Sequence, residues 1–365
     1  MHTETFYRIA LNHIDGLGKA TIKTLLSVSG SAQNIFEHPE TWQSRLRHKK
    51  RVPLNIQLTD KIKQLVSDEL SVMEKNGIHL CHYLDTEYPQ RLKRCNDAPV
   101  SFYYKGCGDF NRARMLAVVG TRNATTYGIR SLTKILDELK SNNIVTVSGL
   151  AYGIDTVAHE VSLNTEMPTI AVLGSGLGVI YPASNKPLSE RILANGGTLI
   201  SEFGYWTSPD RLNFPARNRI IAGMADAVLV AESGIKGGSI ITAHIASSYN
   251  RDIFAIPGTI FDEMHAGCHD LIRRNIAAMV TCGKDLLEMM NWDAAPTSVQ
   301  TQLFPELSEE EDVIYRFLLQ GKKNIDEISE HCPQFSPSKL AGLLLMMELK
   351  GIIFALPGKS YSTEP

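Results

Sequence analysis

The sequence predicts an α/β protein whose central half is a parallel sheet covered by helices on both faces. Three observations carry this. Short continuous apolar runs recur at Leu116–Val119, Ile144–Val147, Thr169–Leu173, Thr198–Ile200, Ala227–Val230, Ile253–Ile256 and Ala278–Thr281. Helical patterns lie between most of them, at Ser131–Leu139, Thr156–Leu163, Pro187–Ala194, Asn218–Gly223 and Ile240–Ser248. Small-residue turns follow several of the runs, as in "VVGTRN" and "VSGLAYG". A strand buried on both faces is apolar throughout rather than alternating, and strands separated by helices make a parallel sheet. Ligands of such sheets sit outside the carboxyl ends of the strands.

The flanks have a different texture. Residues 1–110 are read as a helical domain. Within it, Ile14-Asp15-Gly16-Leu17-Gly18 places a glycine turn between two amphipathic patterns, a helix-hairpin-helix or SAM-like arrangement. The basic run "RLRHKKR" from Arg45 to Arg51 is read as a solvated loop. The sheet domain is assigned to residues 111–291 and a linker to 292–307. Residues 308–365 read as three short helices and a strand pair turning at Pro357-Gly358, a winged-helix-like layout.

The 365 residues are 43% hydrophobic and 21% charged, the composition of a soluble globular chain. The N-terminal stretch has neither the basic start nor the apolar run of a signal peptide, and no apolar stretch has bilayer length. Cys81, Cys95, Cys107, Cys268, Cys282 and Cys332 are scattered without a C-x-x-C pair, so no disulfide framework and a cytoplasmic location are expected. The net charge is −2; residues 1–110 carry +3, 111–307 carry −2 and 308–365 carry −3. A nucleic-acid ligand would have to use a local basic patch. The acidic C-terminal segment, with its apolar third helix (Ser336–Leu349), favours protein contact over DNA.

The chemistry concentrates in the strand-end loops. After the first central run, Gly120 allows a tight turn, Thr121 offers a hydroxyl and amides at a helix start, and Arg122 projects. After the second, Asp155 reads as a helix N-cap, four residues before His159. That spacing suits capping and packing better than a metal. The third run ends in "GSGLGVIYP", a G-x-G-x-G that neither follows the first strand nor opens a helix directly, which argues against a dinucleotide cofactor. Next come Arg211, Phe214, Arg217, Asn218 and Arg219, and then Lys236, Gly237, Gly238 and Ser239 opening a helix. Guanidiniums grip phosphates bidentately and helix N-termini add amides, so this set reads as a polyanion cradle. "HAGCHD" (His265 to Asp270) has zinc-competent residue types but no second pair at ligand spacing, so it is read as a surface turn. No metal, cofactor or catalytic set is assigned.

Taken in order, "VVGTRNATTYG", "SGLAYGIDTVAHE", "TIAVLGSGLGVIYPASN", "FPARNRIIAGMADAVLVAES", "GGSIITAHIA" and "FAIPG" resemble the bacterial DNA-processing protein A family (DprA, also called Smf). The resemblance spans the central domain, about half the chain. It implies an extended Rossmann domain that binds single-stranded DNA, forms a homodimer and loads the RecA recombinase onto incoming strands during natural transformation, without catalytic turnover. It implies DNA contacts from Arg122, Arg211, Phe214 and Lys236, Phe214 by base stacking.

Four features depart from the family pattern. Gly237 stands where a serine is usual, and Gly178 where an aspartate is usual. Gly204-Tyr205-Trp206 replaces a proline-glycine pattern, and His269 and Asn275 replace an asparagine and a glycine. Asparagine tolerates the left-handed backbone best after glycine, so the turn at Asn275 is expected to survive. The competing reading is a nucleotide phosphoribohydrolase of related fold. Against it, no carboxylate follows the "IKGGSIITAH" turn within a helical turn.

Overall fold

A computed structural model describes residues 3–46, 56–292, 307–319, 321–349, 352–356 and 360–363. The chain divides into two compact units, Met1–Asp293 and Ala294–Pro365. Most of the basic run at 45–51, nearly all of the expected linker and the Pro357-Gly358 turn fall outside the described residues.

The first unit begins with helices α1 (Glu4–Asn12), α2 (Lys19–Ser29), α3 (Ala32–Glu37), α4 (Glu40–Leu46) and α5 (Asp60–Asn76). Their starts are written locally. The hydroxyls of Thr3, Ser31 and Thr59 accept from the backbone N–H groups of Phe6, Asn34 and Ile62, each satisfying a donor that the first helical turn leaves free. Between α1 and α2 the chain turns at Gly16, whose φ of 75° lies in the left-handed region. Ile9, Leu11, Leu25, Ile35 and Trp42 form the centre of this helical core.

The sheet follows: β1 (His79–His82), α6 (Gln90–Lys93), β2 (Ser101–Gly106), β3 (Arg114–Val119), α7 (Thr126–Leu139), β4 (Ile144–Ser148), α8 (Ile154–Asn164), β5 (Thr169–Leu173), α9 (Lys186–Ala194) and β6 (Thr198–Ser201). It continues with α10 (Asn213–Met224), β7 (Ala227–Val230), α11 (Gly238–Ser248), β8 (Asp252–Ala255), α12 (Ala266–Arg273), β9 (Ala278–Met279) and α13 (Gly283–Met289). The strand order is β1-β2-β6-β5-β4-β3-β7-β8-β9. All neighbours from β6 to β9 are parallel, whereas β1–β2 and β2–β6 are antiparallel.

Three sequence expectations change. The helical segment ends at Asn76, and residues 79–106 supply two strands of the sheet instead of closing a helical domain at 110. These edge strands are partly exposed, so they lack the continuous apolar signature of the central ones. The expected helix Asn218–Gly223 begins five residues earlier, at Asn213, which puts Pro215 within its first turn where the missing N–H costs nothing. The last strand is two residues long, not four. As expected, Asn275 adopts a left-handed φ of 55°.

Side chains on β3 alternate between the two faces. Met115, Ala117 and Val119 pack with Ile220, Ile221 and Met224 of α10, whereas Leu116 and Val118 pack with Leu132, Ile135 and Leu139 of α7. From β3 the chain steps outward through β4, β5 and β6, and α10 then returns it to β7 on the other side of β3. The winding reverses between β3 and β7. At such a point the loops leaving the two strands diverge and open a crevice beyond their carboxyl ends.

The second unit contains α14 (Glu309–Leu318), β10 (Lys323–Asn324), α15 (Ile325–His331), α16 (Pro337–Leu349), β11 (Phe354–Leu356) and β12 (Ser360–Ser362). Its strands pair in the antiparallel order β10-β12-β11, and Ile314, Ile328, Leu340, Leu344 and Met347 form its core.

One buried group sets a pH dependence. His159 on α8 is fully buried with Nδ1 2.7 Å from Thr169 Oγ1. Burial, with the nearby Arg217 charge acting the same way, lowers its pKa from 6.5 to about 3. The folded chain therefore keeps His159 neutral where the unfolded chain protonates it, so stability falls as pH drops from 6.5 towards 3. Between pH 7 and pH 5 this loss is about 2 kcal/mol, and His82, lowered to about 4 mainly by burial, adds in the same direction. Urea unfolding of His159→Gln should show a pH 7 to pH 5 loss smaller by about 2 kcal/mol than the parent chain. An unchanged loss would mean that His159 is not held neutral.

Candidate nucleic-acid interface

The crevice at the switch point is an open cleft of about 480 Å³. Gly120, Thr121, Arg122, Arg211, Phe214, Arg217, Asn218, Gly238 and Ser239 line it, together with Asp155, Ser233 and Ile241. Nine of the eleven residues singled out in the sequence thus converge; Lys236 and Arg219 are not on its wall.

The first wall is the turn after β3. A Cβ on Gly120 would meet Ile154 Cγ1 at 2.4 Å, so glycine is what lets α8 approach the strand end. The Thr121 N–H donates to the Glu232 carbonyl at 2.8 Å, and the Ile154 N–H donates to the Thr121 carbonyl at 3.1 Å. This turn is therefore tied to both β7 and α8, and Arg122 leaves it exposed to solvent. Its guanidinium lies over the Phe214 ring, 4.8 Å from the centroid.

The second wall is the start of α10. Phe214 is half-buried and packs on Gly174 and, at 6.0 Å between centroids, on Tyr181. Arg211 is exposed, as is Lys236 on the lip before α11. None of Arg122, Arg211 and Lys236 is ion-paired among the described residues. The third wall is the first turn of α11. Ser239 Oγ donates to Ser233 Oγ at 2.7 Å, and a Cβ on Gly237 would stand 2.3 Å from that same Ser233 oxygen. The hydroxyl missing at 237 is thus matched by one at Ser233, a residue the sequence reading passed over.

Two arginines of the predicted cradle are committed elsewhere. Arg219 is buried. Its Nη2 donates to the Glu202 carboxylate and its Nη1 to the Asp97 carbonyl, and Lys19 of α2 pairs with the same Glu202 at 2.6 Å. It stands off the cleft wall and braces the sheet against the N-terminal helices through Glu202 and Lys19. Arg217 lies under the cleft floor, with Nη1 donating to the Val172 carbonyl at 2.6 Å.

Asp155 is not the N-cap of α8; Gly153 holds that position, and the Asp155 carboxylate turns inward to accept from the Ala151 N–H. Burial pushes its carboxyl pKa up, against the opposing pull of the Arg217 charge. Asp155 is the one carboxylate among the lining residues. His159, four residues on, turns its Nδ1 to Thr169 Oγ1.

Two departures from the family pattern explain each other. A Cβ on Gly178 would sit 2.5 Å from the Tyr205 ring. Tyr205 comes from the altered loop after β6, its carbonyl accepts from the Gly178 N–H at 3.0 Å, and its hydroxyl reaches Asn76 of α5 at 3.2 Å. Tyr181, tilted against Phe214, is a neighbour of the cleft that was also missed. In the sequence it signalled only an interruption before α9.

Residues 79–291 match the family described as DNA recombination-mediator protein A. DNA processing protein DprA of Streptococcus pneumoniae is 46% identical over 204 residues, which is 56% of this chain and 71% of that protein. Protein Smf of Escherichia coli is 34% identical over 301 residues, 80% of this chain and 79% of its own length. The crystal structure of the Streptococcus pneumoniae protein superposes with a TM-score of 0.65 at 35% identity, covering 79% of this chain and 98% of that one. DNA processing protein A from Helicobacter pylori, solved for its single-stranded DNA binding mode, superposes with a TM-score of 0.54 at 26% identity, over 59% of this chain and 96% of that one. With a family match over more than half its length and relatives aligned across both the helices and the sheet, this chain belongs to the DNA recombination-mediator protein A (DprA/Smf) family.

Proposed function

We propose that this chain binds single-stranded DNA in the switch-point cleft and, as a cytoplasmic homodimer, delivers the strand to the RecA recombinase. One observation carries the reading. Arg122 lies over a half-buried phenylalanine in a cleft that Arg211 also lines and onto which a helix N-terminus opens, with Lys236 exposed just before that helix; among the described residues none of the three cations has an ion-pair partner. Cations and amides hold phosphates regardless of sequence, and an aromatic face takes any unpaired base. A duplex offers its phosphates but not its base faces, so Phe214 is what makes the cleft prefer single strands. The role as a mediator rests on the family description. The proposal includes no catalytic turnover: Asp155 is the one carboxylate lining the cleft, and its Oδ2 is engaged by the Ala151 N–H. Release of free base from nucleoside monophosphates would reverse that part.

Affinity for single-stranded and duplex oligonucleotides across a salt series tests the binding. Arg122→Ala and Lys236→Ala should each weaken binding and lower the salt slope by about one phosphate. Phe214→Ala should cost about 1–3 kcal/mol with an unchanged slope. Arg219→Ala is the contrasting case: binding per folded molecule stays intact, whereas unfolding stability falls by about 3 kcal/mol because Glu202 loses a buried partner. A shallower salt slope for Arg219→Ala would return that residue to the cradle. Delivery is read as faster RecA assembly on strands already coated with single-strand-binding protein, and an unchanged rate would limit the function to binding.

A further inference from the structure

Behind the Thr121 turn, on the side away from the cleft, the fold gathers three ionisable side chains from distant positions. Glu232 follows β7 and is fully buried. Its Oε2 accepts from the Thr125 N–H at 2.9 Å, whereas Oε1 is buried without a hydrogen-bond partner. The carboxylate fits because residue 128 is glycine; a Cβ there would lie 2.1 Å from Oε2. His265, at the end of the short turn Glu263–His265, is also fully buried, and neither ring nitrogen has a hydrogen-bond partner. A second glycine makes room for it, since a Cβ on Gly258 would lie 2.1 Å from the ring. Asp262 is partly exposed; its Oδ1 accepts from the Met264 N–H and its Oδ2 stands 3.3 Å from His265 Nδ1. His265 Nε2 stands 4.0 Å from Glu232 Oε1.

Three buried polar atoms without hydrogen-bond partners among the described residues, Glu232 Oε1 and both His265 ring nitrogens, are costly, each by about 1–3 kcal/mol. A proton does not resolve the arrangement. Charge-assisted N–H···O bonds close to about 2.7–2.9 Å, and the 3.3 Å and 4.0 Å separations here lack hydrogen-bond geometry. A cation fits better. One donor atom from each of the three residues can be chosen so that all lie within 4.8 Å of one another. Donors about 2.0–2.2 Å from a common tetrahedral ion stand about 3.3–3.6 Å apart, so the three side chains would close in by up to about 1.5 Å on binding.

We propose that Glu232, Asp262 and His265 form a binding site for a divalent transition metal ion of the zinc type. One imidazole and two carboxylates are a ligand set zinc accepts, and the partly exposed Asp262 side leaves the fourth position to water. The ion joins the end of β7, the start of α7 and the turn before α12, three segments that are otherwise far apart in sequence. "HAGCHD" therefore contributes to a metal site through one residue only. His269 Nε2 is occupied by the Gly258 carbonyl at 3.0 Å, and Cys268 Sγ points to the Val230 carbonyl at 3.7 Å. The buried positions of His265 and Cys268 also correct the reading of this segment as a surface turn.

The test is zinc titration of the full chain after EDTA treatment and dialysis, by calorimetry and by metal analysis. The site predicts saturable uptake of one Zn²⁺ per chain at micromolar concentration, and Zn²⁺ raising the melting temperature. His265→Ala and Asp262→Asn should each weaken uptake by more than about 100-fold, since loss of even an outer-sphere partner costs 10–100-fold. Asp262→Asn keeps an oxygen for the Met264 N–H, so it serves if His265→Ala fails to fold. His244→Ala, which removes an exposed histidine of α11, should retain the full stoichiometry. Absence of saturable uptake at micromolar zinc overturns the proposal. So does uptake that survives both site variants.

Discussion

Under the cleft, the buried guanidinium of Arg217 meets three strand-end segments at once. It donates to the Val172 carbonyl at the end of β5 and occupies the space that a Cβ on Gly149 would take, 1.6 Å from Nη1. Its charge is opposed by Asp155 in α8. Burial acts against the charged form of both groups, pushing the Arg217 pKa down and the Asp155 pKa up, and each charge offsets the other's cost. Arg217 on α10 is thereby fixed against the ends of β4 and β5. The side chains that face solvent from these segments inherit their positions from that buried guanidinium.

Phe214 inherits most directly. Residues on a helix advance by about 100° each, so Asn218 shares the face of Phe214, Arg217 stands about 60° to one side, and Arg219 points well away. One face looks into the cleft, the adjacent one into the sheet, and the third towards Glu202 and Lys19. Three neighbouring polar residues in "FPARNR" thus have three different surroundings. The sequence pattern placed the helix start at Asn218 and left Phe214 and Arg217 in the preceding loop, where their directions relative to Asn218 and Arg219 were indeterminate. Had Pro215 been taken as a first-turn residue, the same 100° rule would have separated Arg219 from the cradle without coordinates.

Legibility elsewhere followed burial in the same way. The central strands were readable because both faces are covered and most positions are apolar, and the cleft was readable because the winding rule puts ligands at carboxyl ends. The strands at 79–106 were not, since half-covered edges mix polar and apolar residues. Gly178 and Tyr205 looked like two unrelated departures until the close approach between them was visible. The Glu232, Asp262 and His265 cluster has no spacing signature at all. Its members lie on either side of α11 and β8, and parallel winding brings them together.

Charge distribution then limits how such a cleft can act. A chain of net charge −2 has no long-range field to gather a polyanion, and charges farther apart than about 8 Å are screened at physiological salt. Attraction must come from cations that touch the ligand. Partition by burial serves that end. Arg219 is ion-paired with Glu202 and Arg217 is buried against the Val172 carbonyl, while Arg122, Arg211 and Lys236 stay exposed and, among the described residues, without ion-pair partners. Phosphates that reach the lip exchange counterions for protein cations, a gain that salt erodes, whereas a base against Phe214 gains contact that salt leaves alone. The half-burial of Phe214 between Gly174, Tyr181 and Arg122 makes the second term large, because a ring held by its neighbours loses little freedom when a base stacks on it.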